Sequence, residues 1–71
     1  MNKPIKIEIG EWWFKGCFIQ QQYHPRLSKY IVFGDTEGQP TIGTCGTFAE
    51  AKKICRDNEI KNYKFGYEIF L

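Results

Sequence analysis

An α+β domain, a small antiparallel sheet with one helix packed on one face, is expected from three observations. Runs rich in Ile, Val, Phe, Tyr and Trp alternate with turn residues as far as Cys45. Thr47 is followed three residues later by Glu50, a capping box in which each side chain satisfies an orphan donor at a helix entrance. Beyond that point the apolar spacing changes from two to 3.6, the signature of an amphipathic helix.

Taken in order, Ile5, Ile7 and Ile9 alternate with Lys6 and Glu8 as in a half-buried strand, which Gly10-Glu11 breaks or bends. Trp12 to about Gln22 is expected as a second, longer strand, with Trp12, Phe14, Gly16 and Phe18 on one face. Trp13, Lys15, Cys17 and Ile19 would then lie on the other. Tyr23 to Ser28 is a loop containing Pro25, which cannot donate to a ladder. Lys29 to Phe33 is a third strand, stopped by Gly34-Asp35-Thr36-Glu37-Gly38. Thr41 to Cys45 is a fourth, with Pro40 tolerable at its edge. Short connections make a meander of three central strands, flanked by terminal ones, the simplest arrangement. The helix is expected from Phe48 to Asn58, with Phe48, Ala51, Ile54, Cys55 and Asn58 on one arc. Tyr63, Phe65, Tyr67 and Ile69 return to period two and predict a final strand.

With 71 residues the chain is read as one domain, residues 1–71. A chain of this length buries only about 60% of the surface it exposes when unfolded. Its 17% aromatic content offsets that shortage, because each buried ring removes much apolar area from water. A composition 42% hydrophobic and 25% charged is that of a folded protein rather than a disordered tail. No stretch is apolar enough to span a bilayer, and the start lacks the apolar core of a signal peptide. Cys17, Cys45 and Cys55 cannot all pair within one chain, which argues for free thiols in a reducing cytosol. A net charge of +2 permits a basic patch without demanding one.

The stretch Ile42-Gly43-Thr44, with Thr47, Glu50 and Ala51, resembles the strand-to-helix junction of ethylene-response-factor-type DNA-binding domains. That family also appears in phage integrases and homing endonucleases. The similar layout extends over about Trp12 to Asn58, although Cys45 stands where the family prefers Phe. The resemblance implies a three-stranded sheet laid in the major groove of duplex DNA. Carried over by position, base and phosphate contacts would fall on Trp13, Lys15, Lys29 and Arg26.

Other chemistry is thinly represented. Cys17, His24, Cys45 and Cys55 are ligand types, but structural zinc sites bring ligands in close pairs, and here the spacings are long. Buried thiols packing as small hydrophobes are the plainer reading, so no metal is expected. His24 is the single histidine, beside Pro25 and Arg26 in a loop, and no phosphate loop or paired carboxylates appear. No enzyme activity, cofactor or small-molecule substrate is therefore expected. Because one helix covers one face, either an aromatic-rich face remains open or the terminal segments fold over it and close the core. The expected function is a small non-catalytic binding module, first for duplex DNA through the face bearing Trp13, Lys15 and Lys29, with Arg26 nearby. The alternative is a protein-interaction module, of the kind phage or plasmid accessory proteins use to modulate a host complex. Its simplest version is a homodimer joined through the aromatic face.

Overall fold

The computed structural model describes the backbone of residues 3–70 and the side chains of residues 3–60. Five strands, β1 (Ile5–Glu8), β2 (Glu11–Phe14), β3 (Cys17–Gln21), β4 (Tyr30–Gly34) and β5 (Thr41–Cys45), precede one helix, α1 (Phe48–Phe70). The strands form a single antiparallel meander in sequence order, and α1 packs on the β4–β5 half of one face.

The long second strand expected from Trp12 to Gln22 is instead a tight hairpin. Lys15 (φ 48°) and Gly16 (φ 79°) both adopt left-handed backbone conformations between β2 and β3. Positive φ at both central residues is the turn whose twist matches that of the flanking strands. Gly16 enters it without steric penalty, and Lys15 tolerates it. The turn pairs Phe14 with Cys17 and Trp12 with Ile19, so these four share one face. Cys17 and Ile19 therefore join Trp12 and Phe14 rather than opposing them, and Phe18 moves to the side of Trp13.

The face beneath α1 forms the core. Phe14, Cys17, Ile19, Val32, Cys45, Ala51 and Cys55 are buried, with Trp12, Tyr30, Ile42, Phe48 and Ile54 packed around them. The helical arc read from the sequence thus meets the sheet as expected. At its start Phe48 sits between Trp12 and Tyr30, its ring centroid 4.9 Å from the first and 5.7 Å from the second. Both contacts are edge-on, the geometry that aromatic quadrupoles favour. The cap forms in a modified version. Thr47 Oγ1 accepts the Glu50 N–H at 3.2 Å, while the Glu50 carboxylate takes the Thr47 hydroxyl at 3.0 Å.

Two further differences concern the ends of the sheet. The final strand expected at Tyr63 to Ile69 is not formed, because α1 continues through those residues to Phe70. Propagating an established helix fixes one residue per added hydrogen bond, whereas a sixth strand needs a turn and a free sheet edge. Both edges are irregular. Lys6 pairs with Trp12 and Glu8 with Glu11, so β1 carries Ile7 as an extra residue. Val32 pairs with Gly43 and Phe33 with Thr41, so β5 carries Ile42 as another. Such bulges kink the strand and re-aim side chains. Ile42, which strict alternation would turn outward from Gly43, instead packs against the core.

Candidate functional site

The face away from α1 carries an apolar row assembled by strand register. Ile5 pairs with Trp13, Trp13 with Phe18, and Phe18 with Phe33, so one residue from each of four strands lies side by side. At the usual inter-strand spacing this row is about 14 Å long. Thr41 of β5 continues it. The next row, Glu11, Gln20, Ile31 and Thr44, is mixed. Trp13, Phe18, Ile31 and Phe33 are partly exposed, and Ile5 and Ile7 remain 44% and 47% accessible. None of these six belongs to the core or packs against it.

The indole of Trp13 is fixed from the side. Its Nε1–H donates to Asp35 Oδ2 at 2.9 Å, while the Asp35 backbone N–H donates to the Gly16 carbonyl at 3.1 Å. The loop after β4 is thereby tied to the β2–β3 turn. The polar atom of the indole is satisfied, and the ring is left partly exposed.

The four residues singled out from the sequence separate in space. Trp13 lies in the row. Lys29 directly precedes β4, and its carbonyl accepts the Gln22 N–H at 2.7 Å. That bond extends the ladder by one pair and keeps Lys29 in step with Ile31 and Phe33 on the open face. Lys15 goes elsewhere: its Nζ lies 3.6 Å from Glu59 Oε1 and 5.6 Å from the centroid of Phe14, on the helix side of the turn. Arg26 is exposed in the loop between β3 and β4, where its backbone N–H donates to His24 Nδ1 at 3.2 Å. On the open face Lys29 is therefore accompanied by three carboxylates, Glu8, Glu11 and Asp35. Lys52 is likewise drawn inward, its Nζ 5.5 Å from the Phe14 ring.

No protein-family model matches this chain, and no curated protein or solved structure is found to be similar to it.

The cysteines converge under α1 rather than at the surface. Cys17 and Cys55 are wholly buried and Cys45 nearly so, and all three are free thiols. Asn58 Nδ2 donates to Cys17 Sγ at 3.7 Å, and Cys45 Sγ donates to the Thr47 carbonyl at 3.3 Å. His24 sits apart, exposed in its loop. Among the described residues no group of three or more His, Cys, Asp or Glu is arranged to hold a metal ion. Burial raises all three thiols above their ordinary range and pushes Cys55 up to about 12. A thiol held protonated by folding favours the native state below the unfolded thiol range. That contribution fades as pH climbs from about 9 toward the folded value, because the unfolded chain then releases more protons. The melting temperature is expected to fall across that alkaline window, and to fall less steeply in Cys55→Ala. Equal slopes for both proteins would remove the thiol from the explanation.

Phe18, Phe33 and Asp35 were not among the candidates drawn from the sequence. The signal that finds Phe18 is the Lys15-Gly16 turn, which sets the parity of β3.

Proposed function

We propose that the protein is a non-catalytic interaction module that engages another protein through its uncovered sheet face. The observation that carries this reading is the row Ile5, Trp13, Phe18 and Phe33, aligned across four strands on the side away from the helix. Aromatic rings held at fixed positions supply large contact area with little loss of rotamer freedom. An exposed, contiguous apolar patch on a small domain is characteristic of a contact surface. Three free buried thiols fit a reducing compartment such as the cytosol.

Duplex DNA is the second reading, favoured by exposed Arg26 and Lys29 and by the resemblance of the Ile42 to Ala51 junction. It is the weaker of the two. Phosphate contact depends on cations, and the open face offers Lys29 together with Glu8, Glu11 and Asp35, while Lys15 faces Glu59. Titration of isotopically labelled protein with a generic duplex at low salt separates the readings. The interaction-module reading expects the amides of Trp13, Phe18 and Phe33 to stay in place. Saturable shifts at those residues that vanish as salt is added would transfer the site to DNA.

A further inference from the structure

The outward residues along β4 and its two extensions have an order of their own. Lys29, Ile31, Phe33 and Asp35 alternate on the open face, reading basic, apolar, apolar, acidic. Two contacts fix the ends of the series: the Gln22–Lys29 backbone bond at one end and the Trp13–Asp35 hydrogen bond at the other. Such an order is complementary to itself when reversed. If a second open face is laid against the first with the two β4 strands antiparallel, Val32 falls on the two-fold axis. Ile31 then meets Phe33 of the second copy, and Lys29 meets its Asp35. The arrangement places two symmetric ion pairs at the rims of an apolar centre.

Resting on the interaction-module reading above, we propose that the partner of the open face is a second copy of this chain. The two sheets stack face to face as a two-fold sandwich centred on β4. Stacked sheets lie about 10 Å apart with strand directions within about 30° of each other. That separation lets the long Lys29 side chain span to a carboxylate opposite. A two-fold contact requires one patch to complement itself, which this series does in both polarity and charge. The other charged side chains that pairing places on the face, Glu11 and its partner Glu8, lie two and three strands away from β4, at the β1 margin. Edge-to-edge pairing is disfavoured, because both outer strands are bulged, β1 carries Lys6 and Pro4 directly precedes it. Association is left to the face.

Charge reversal gives a test with a built-in rescue. Lys29→Asp makes both ends of the series acidic, and Asp35→Lys makes both basic. Each variant alone meets like charge twice and is expected to self-associate at least about tenfold more weakly than the wild type. An equimolar mixture of the two restores opposite charges at both contacts and recovers the two-copy species by sedimentation. Failure of the mixture to recover it, with both variants folded by circular dichroism, overturns the arrangement. If Asp35→Lys does not fold once the Trp13 hydrogen bond is lost, dilution of the wild type decides instead. Resonances of Ile31, Phe33 and the Trp13 indole are expected to move with concentration while those of α1 stay fixed. A wild type that remains monomeric at about 1 mM overturns the second copy as partner. In that case an apolar reporter dye separates the two claims. Dye bound by the wild type and not by Phe18→Lys keeps the open-face reading, whereas dye bound by neither removes both.

Discussion

Phe14→Ala is expected to lower the unfolding free energy by about 3–5 kcal/mol, the usual cost of emptying a buried phenylalanine site. Phe14 is 2% exposed, flanked by Cys17 on its own face of the sheet and covered from the helix side. Its ring also supports two ammonium groups, Lys15 and Lys52, with Nζ atoms 5.6 and 5.5 Å from its centroid. A chain of 71 residues is typically stable by about 4–10 kcal/mol, so this one truncation removes a large share. Thermal and urea unfolding monitored by circular dichroism measure the loss. A change below about 1 kcal/mol would show that the β2–β3 hairpin and α1 do not share one core.

Gly43→Leu should produce the second largest effect, by a different route. A Cβ built on Gly43 comes within 3.4 Å of Ile54 Cδ1 and 3.7 Å of Ile54 Cγ2, so the strand lies close under the helix. An alanine asks only that the Ile54 tip shift by a few tenths of an ångström, and Gly43→Ala is expected to be close to neutral. Leucine adds volume that the tip cannot absorb, so α1 has to lift from β5 at a cost of about 1–3 kcal/mol. Amide exchange locates the damage: protection should fall in α1 around Ala51 and Cys55 and stay unchanged in the β1–β2 hairpin. Uniform loss throughout the sheet would contradict a local clash.

How far the sequence could be followed depended on whether a local chemical signal marked each boundary. Strand β5 and the start of α1 emerge where expected, because Pro40 opens one and the Thr47–Glu50 cap opens the other. The opposed faces of Trp12 and Trp13 follow from neighbouring positions in a strand, and the structure keeps them so. The β2–β3 turn was hidden because Lys-Gly is a poorer sign of a two-residue hairpin than Asn-Gly. Missing it inverted the face of everything from Cys17 to Gln21, which concealed the row through Phe18. The destination of Lys15 was beyond local rules, since its approach to Glu59 depends on where α1 crosses the turn. In the last segment, the alternation of Tyr63, Phe65, Tyr67 and Ile69 competed with an already propagating helix, and the helix prevailed.

The two irregular margins of the sheet also bear on how the protein survives concentration. Unkinked outer strands beside an aromatic surface would invite copies to add end on end into fibrils. Here Ile7 and Ile42 interrupt the ladder at the two borders, so no border offers a continuous template for growth. A molecule built this way can offer its rings to a partner without seeding an open-ended polymer.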